Sequence, residues 1–204
     1  MYIPRYYKID NIEDVKSFID KYGFAVLVSQ FEGKPWATHI PLLLVRDEND
    51  RDILFGHISK ANSQWKDFDK NEEILAIFYG PHAYVSSSWY DHENVPTWNY
   101  VAVHVYGKIQ IIEGDSLKRH LGKLVDKYES GMDNPVSVNK MSKEFVEREM
   151  RGIVGFEIVI TEIQAAMKLS QNRDDKNFGR VITGLENQGD TNSVEIARRM
   201  KNLK

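Results

Sequence analysis

The segment 98–112 constrains the fold more strongly than any other part of this sequence. Apolar and polar residues alternate along it, the period-2 pattern of a β-strand with one face in the core. One face carries Val101, Val103, Val105, Ile109 and Ile111, and the other carries Tyr100, Ala102, His104, Tyr106, Lys108 and Gln110. This is the clearest strand in the chain.

The remaining patterns predict a helix, several strands, a second helix, further strands and a helical tail. Strands are predicted at 24–30, 36–45, 53–58, 74–79, 83–87, 153–163 and 165–169, and helices at 10–23, 59–68, 115–128 and 142–150. Connections are short, no strand–helix–strand alternation occurs, and no GxGxxG follows a strand. We therefore predict an α+β protein built on an antiparallel β-barrel with flanking helices. Residues 1–170 are expected to form the barrel domain, and residues 171–204 a helical extension packed on it.

Composition excludes several kinds of site. The chain has no cysteine, which rules out disulfides, thiolate metal sites and cysteine nucleophiles. Its six histidines show neither HExxH nor HxH spacing, so no metal site is predicted. The apolar runs are far shorter than the ~20 residues of a membrane-spanning helix, and we expect a cytoplasmic protein.

The net charge of −3 is unevenly distributed, because residues 168–204 carry +3 and the preceding residues carry −6. An acidic body does not indicate general nucleic-acid binding. The only basic excess ends in the amphipathic segment 192–203, but no helix-turn-helix partner precedes it. DNA binding therefore stays open as an alternative, although no DNA-binding motif supports it. We favour packing of the basic C-terminal segment on the rest of the protein.

The segment 56–65 (GHISKANSQW) joins a predicted strand to a predicted helix. Ser59, Lys60 and Asn62 supply a hydroxyl, an ammonium and an amide where backbone N–H groups are free, the groups that bind a phosphate. The alternative is an ordinary helix cap with a solvent-exposed lysine.

Residues 78–100 hold seven of the 23 aromatic residues, mixed with Ser, His, Asn, Gly and Pro. In an extended segment His82, Tyr84, Ser86 and Ser88 share a face. Such a surface suits a planar ligand or a partner chain, and a solvated sheet face is the alternative.

Three segments in order, GHISKANSQW, AIFYGPHAYVSSSWY and VPTWNYVAVHVYG, are followed by KLSQNR at 168–173. Together with the start MYIPRYY they resemble the PaiB family of FMN-binding negative transcriptional regulators along essentially the whole chain. The resemblance implies a split β-barrel of the pyridoxamine-phosphate oxidase type, usually a homodimer, with FMN at the dimer interface. It also implies negative regulation of sporulation and protease genes.

The resemblance implies ten cofactor-binding positions. They are His57, Ser59, Lys60, Asn62, Gln64, Tyr84, Ser86, Trp98, Tyr100 and Arg173. The first five would surround the phosphate, the next four would lie near the interface, and Arg173 would reach the phosphate or close the pocket. No catalytic residue is implied. Two alternatives stay open: an FMN-dependent oxidoreductase acting on a small molecule, and a haem-binding or haem-degrading barrel with His57 or His104 on the iron.

Overall fold

The structure is a computed structural model that describes residues 1–70 and 73–203. Within these residues seven strands form one sheet in the order β2-β1-β5-β6-β7-β4-β3, flanked by five α-helices. The strands are β1 Phe24–Phe31, β2 Lys34–Pro41, β3 Leu43–Arg46, β4 Asp52–Ser59, β5 Ile74–Val85, β6 Thr97–Ile112 and β7 Ile153–Lys168. The helices are α1 Ile12–Lys21, α2 Gly114–Glu129, α3 Lys143–Met150, α4 Asp175–Gln188 and α5 Thr191–Lys201.

The chain divides into two compact units. Unit 1 comprises Met1–Tyr22, Phe78–His104 and Gln164–Lys204, and unit 2 comprises Gly23–Ile77 and Val105–Ile163. This division differs from the predicted boundary at residue 170, which stays a prediction.

In unit 2 a tight hairpin joins β1 to β2, with Phe31 opposite Lys34. The two loop residues, Glu32 and Gly33, have φ values of 50° and 72°. Positive φ at both positions is typical of the two-residue turns that match the twist of antiparallel strands. On the other side of this unit, β4 pairs antiparallel with β7.

In unit 1 the helices α4 and α5 share a core with β5 and the end of β7. Asp174 caps α4 by accepting a hydrogen bond from the Asn177 N–H at 3.0 Å, and Asp190 caps α5 in the same way. The core of buried side chains comprises Ala83, Val85, Tyr90, Leu169, Phe178, Val181, Leu185, Ile196, Ala197 and Met200. The C-terminal helices are therefore part of the hydrophobic core of this unit.

The predicted fold class is confirmed, and β6 has most of the predicted buried face, with Val101, Val103 and Val105 at most 1% exposed. Ile111, predicted on the same face, is 46% exposed. Three strand predictions were wrong in detail. The predicted strand at 36–45 is two strands, because the Leu42 N–H donates to the Gly23 carbonyl at 2.8 Å. Conversely, β5 and β7 are each one strand where two were predicted.

Gly80 lies in the gap between the strands predicted at 74–79 and 83–87. A Cβ at this position would lie 2.6 Å from the Phe18 ring, so the glycine permits close packing within a continuous strand. The helix predicted at 59–68 is a short 3-10 helix at Ser63–Lys70. Asn11, not Asp10, caps α1.

Candidate functional site

Ser59 is the last residue of β4, Lys60 begins the turn that follows it, and both residues are exposed. The Lys60 N–H donates to the Gly152 carbonyl at 2.9 Å, and the Ser59 hydroxyl accepts from the Ala61 N–H at 3.3 Å. In the described part of the chain the Lys60 ammonium has neither a hydrogen bond nor an ion pair. This segment therefore presents an uncommitted cation beside a hydroxyl.

Asn62 and Gln64 have partners within the protein. The Asn62 amide accepts from the Gln64 N–H at 3.1 Å and donates to Thr38 Oγ1 at 2.9 Å. Gln64, which is 0% exposed, accepts from Thr38 at 2.6 Å and donates to Ser29 Oγ at 2.9 Å. These two side chains tie the turn after β4 to β1 and β2, which leaves little hydrogen-bonding capacity for a ligand.

His57 lies two residues before Ser59 and so on the same face of β4. Its Nδ1 is buried and has no hydrogen-bond partner among the described residues. Burial lowers the pKa of the imidazole, which favours the neutral form. Buried polar atoms without a partner are uncommon in proteins, and a ligand on this face of β4 would satisfy this one.

A cavity of about 460 Å³ adjoins the Lys60 segment, within unit 2. Its lining is mostly apolar, with Lys60, Trp65, Glu113, Glu147 and Arg151 as the larger polar or amphipathic members. The volume and the mixture of an apolar wall with a few charged groups are typical of small-molecule sites. We call this the Lys60 cavity.

Unit 1 contains a continuous row of exposed aromatic rings on β5 and β6. Ring centroids are separated by 4.7 Å between Tyr79 and His82, by 6.1 Å between His82 and Trp98, and by 5.8 Å between Trp98 and Tyr84. Trp98 is 53% exposed and Tyr84 is 41% exposed. We call these four residues the aromatic row.

Tyr84 and Ser86 also line an open cavity of about 910 Å³ between the end of β5 and α4. The Ser86 hydroxyl caps the short 3-10 helix that follows, accepting from the Ser88 N–H at 3.2 Å. Trp89 packs against Gly184 of α4, where a Cβ would lie 2.4 Å from the indole. Ser86 therefore has a local structural role at the rim of this cavity.

Tyr100 and Arg173 belong to a second cluster in unit 1. The Arg173 guanidinium lies over the Tyr90 ring, 5.0 Å from its centroid. Tyr7 interacts electrostatically with Arg173, Tyr90 and Tyr100, and burial is the main reason why the Tyr7 pKa is raised. The predicted site residues thus fall into two groups, 57–64 in unit 2 and the other five in unit 1.

Two features were missed by sequence reasoning. Lys168, the first residue of KLSQNR, lies within the Arg173 cluster and donates to Thr97 Oγ1. The KLSQNR motif, which begins with Lys168, could have indicated a role for this residue. The second feature is a pair in unit 2, His120 Nε2 and Glu157 Oε1, 2.5 Å apart, with the His120 ring stacked on Phe55. No spacing in the sequence indicates that pair.

Residues 1–70 and 73–203 contain no group of three or more His, Asp or Glu side chains arranged to hold a metal ion. Over the same residues, the structure has no helix with the length and apolar character needed to cross a membrane.

A family model described as "Putative FMN-binding domain" matches residues 1–162. A curated relative, "Protease synthase and sporulation protein PAI 2" from Bacillus subtilis, is 45% identical over 201 residues, which is 98% of this chain and 97% of the relative.

Two solved structures share the fold at low sequence identity. The FAD and haem binding protein from Mycobacterium smegmatis has a TM-score of 0.64 and 15% identity, covering 84% of this chain and 78% of its own. The flavocytochrome Anf3 from Azotobacter vinelandii also has a TM-score of 0.64, with 17% identity over 87% of this chain and 78% of its own.

Proposed function

This chain belongs to the FMN-binding family whose model matches residues 1–162, and we propose that it is an FMN-binding regulator of the PAI 2 type. FMN is the cofactor that the family assigns to it. When bound, FMN supplies electron transfer in one- or two-electron steps. The chain's own residues supply the binding site, and no described side chain acts on a second substrate in this proposal.

The observation that carries the proposal is the uncommitted Lys60 ammonium beside the exposed Ser59 hydroxyl. A phosphate dianion needs charge-assisted donors, and these two residues supply a cation and an O–H at the end of one strand. The orphaned His57 Nδ1 lies on the same face of β4. The residues at this strand end therefore fit a phosphate.

Asn62 and Gln64 have a different role in this proposal. Their hydrogen bonds to Thr38 and Ser29 fix the turn on which Ser59 and Lys60 lie. They hold the phosphate-binding residues in position and do not contact the phosphate themselves. The apolar wall of the Lys60 cavity is the surface in unit 2 that suits the uncharged part of the ligand.

A homodimer is the second part of the proposal. The aromatic row exposes large rings with few charges on a sheet face, the composition that protein interfaces favour. Tyr84, Trp98 and Tyr100 would then belong to the interface region, as the family resemblance implies. This role explains aromatic side chains that a solvated strand face does not need.

The regulatory part joins the name of the curated relative to the negative regulation that the family resemblance implies: we propose that this chain lowers the expression of protease and sporulation genes. Direct DNA binding by α5 is disfavoured. Arg198 and Arg199 both pair with Glu195, at 2.7 Å and 3.1 Å, and Lys201 pairs with Glu186 at 2.5 Å. With these cations neutralised, regulation through a partner or a metabolite is the better model.

The cofactor proposal is tested by titrating FMN into the flavin-free protein and following flavin fluorescence. Lys60→Ala is expected to weaken binding by about 1.5–3 kcal/mol, the scale of a charge-assisted hydrogen bond. The matched control is Lys66→Ala, an exposed lysine on the next turn. No saturable binding by the parent, or equal effects of both substitutions, would contradict the proposal.

The regulatory proposal is tested in a Bacillus subtilis strain that lacks PAI 2. The parent chain is expected to lower secreted protease activity, and Lys60→Ala is expected to lower it less. If the two chains, at equal abundance, act identically, then FMN is not the signal. If neither acts, the regulatory role is wrong while FMN binding stands separately.

A further inference from the structure

The KLSQNR turn brings two cations together without an acidic partner. Lys168 is the last residue of β7, and Arg173 follows five residues later, after the turn. Burial, and to a smaller extent the nearby Arg173 charge, lowers the pKa of Lys168. Within the described residues neither side chain is paired with a carboxylate. Two like charges held together without compensation indicate a site for an anion.

Hydrogen bonds to buried groups hold the turn between Lys168 and Arg173 in place. Ser170 has a φ of 59°, an uncommon conformation for a residue with a side chain. The fully buried Asn99 amide and the Ser170 hydroxyl exchange two hydrogen bonds of 3.1 Å each. Gln171 also accepts from the Leu169 N–H at 2.7 Å. These contacts determine where Lys168 and Arg173 lie.

The cations and the Tyr90 hydroxyl offer several unused hydrogen-bond donors. The Tyr90 side chain is 7% exposed, and its hydroxyl is buried without a hydrogen-bond partner. The Arg173 guanidinium stacks over that ring, and none of its five N–H donors has an acceptor in the described chain. Among residues 1–70 and 73–203, Lys168 donates to Thr97 alone. A cluster with several unused donors is complementary to an oxyanion.

We propose that Lys168, Arg173 and Tyr90 bind the oxyanion of a small molecule, a phosphate or carboxylate group, at a site in unit 1. Tyr7 interacts electrostatically with Arg173 and also with Tyr90 and Tyr100. The site is separate from the phosphate-binding residues proposed at Ser59 and Lys60 in unit 2. It reassigns Arg173, which the family resemblance places on the cofactor.

A ligand at this site explains three features that the free protein leaves unexplained: the paired cations, the unused guanidinium and the orphaned phenol. An arriving oxyanion would accept from Arg173 in a two-pronged arrangement, which guanidinium geometry favours. It would also raise the pKa of Lys168, because a nearby anion stabilises the ammonium. A metabolite carrying a phosphate or carboxylate group could then bind and regulate the protein independently of FMN.

The probe for the test is inorganic phosphate, added to the full-length protein and measured by isothermal titration calorimetry at constant ionic strength. We expect saturable binding in the parent and a loss of about tenfold or more in affinity for Arg173→Gln and Lys168→Gln. The matched control is Arg180→Gln on α4, an exposed arginine outside the cluster, which is expected to bind phosphate like the parent.

Tyr90→Phe provides a second test that does not remove a charge. It removes the orphaned hydroxyl and keeps the ring under Arg173, so the free protein is expected to be at least as stable as the parent. Phosphate binding should weaken by roughly threefold. The Lys168 side-chain NMR signal should also report a higher pKa when phosphate is bound.

Several results would overturn the proposal. These are no saturable binding in the parent, equal losses in Arg180→Gln and Arg173→Gln, or a Lys168 pKa that does not respond to phosphate. If Arg173→Gln weakens FMN but leaves riboflavin unchanged, then Arg173 binds the flavin phosphate and no separate site exists. Because inorganic phosphate is the probe, failure of FMN binding would leave this test unaffected.

Discussion

Asn99 at the start of β6 and Ser170 in the KLSQNR turn exchange two hydrogen bonds, each 3.1 Å long, in the buried interior of unit 1. Asn99 also donates to the sulfur of Met200 on α5 at 3.6 Å. One buried amide therefore links a strand, a turn and the C-terminal helix. Buried polar groups that are fully satisfied specify one arrangement of the elements around them.

Asn99→Ala is expected to lower the free energy of unfolding by about 1–3 kcal/mol, because the Ser170 hydroxyl loses its partner in a buried site. The measurement is urea denaturation, with a lower midpoint and an unchanged slope. Asn192→Ala, an exposed asparagine on α5, should stay within about 0.5 kcal/mol of the parent. Equal midpoints for Asn99→Ala and the parent would contradict the structural role of the Asn99–Ser170 pair.

Gln64→Ala is expected to destabilise the protein by about 2–4 kcal/mol, since it opens a small void and leaves the partners on Thr38 and Ser29 unsatisfied. FMN affinity, measured on the folded fraction at low temperature, should change by less than about threefold, because this side chain has no free donor and Asn62 still ties the turn to Thr38. The opposite result, normal stability with weak FMN binding, would make Gln64 a direct ligand of the cofactor.

Trp98→Glu is expected to shift the protein towards the monomer in sedimentation velocity, because it places a charge in the middle of the aromatic row. A central interface tryptophan typically contributes 2 kcal/mol or more, so the dimer dissociation constant should rise by about thirtyfold or more. Tyr128→Glu, at an exposed tyrosine on α2, is the matched control. A monomeric parent, or a dimer that tolerates Trp98→Glu, would remove the aromatic row from the interface.

Glu195 on α5 predicts a pH dependence of stability. Hydrogen bonds from Arg198 oppose a smaller effect of burial, and with Lys21 they lower the pKa of Glu195 to about 2 from 4.5. Because the folded-state pKa is the lower one, the stabilisation is complete above about pH 5 and is lost as the pH falls from 4.5 towards 2. Glu195→Gln should cost about 1–3 kcal/mol at pH 7 and much less at pH 2.5.

The comparison is made by urea denaturation of both proteins at a series of pH values. Glu144→Gln, at an exposed glutamate on α3, serves as the control for a general charge effect. A difference between parent and Glu195→Gln that stays constant from pH 7 to pH 2.5 would show that the Glu195 pairs contribute nothing to folding.

The sequence predicted the fold class and most elements because hydrophobic alternation is a local signal. In β6 the pattern from Val101 to Ile109 matches the buried face. The errors occurred where a distant contact decides the local structure. The Phe18 ring leaves no room for a side chain at Gly80 in β5, and the bond from Leu42 to Gly23 lies between β2 and β3. Neither contact is visible in a window of neighbouring residues.

The candidate site was predictable in residue identity but not in role. The segment around Ser59 and Lys60 was found by its composition, whereas the commitment of Gln64 to Thr38 depends on the β1–β2 hairpin. Lys168 was passed over because a lysine at the end of a strand is unremarkable by itself. Lys168 gains a neighbouring charge because the turn after β7 brings Arg173 close to it.

The central claim is that Lys60 binds the phosphate of FMN, and the direct measurement compares FMN with riboflavin, which lacks that phosphate. The parent is expected to bind FMN at least about thirtyfold more tightly than riboflavin. Lys60→Ala should reduce this ratio to a few fold while leaving riboflavin affinity unchanged. An unchanged ratio in Lys60→Ala, or equal binding of the two flavins by the parent, would contradict the claim.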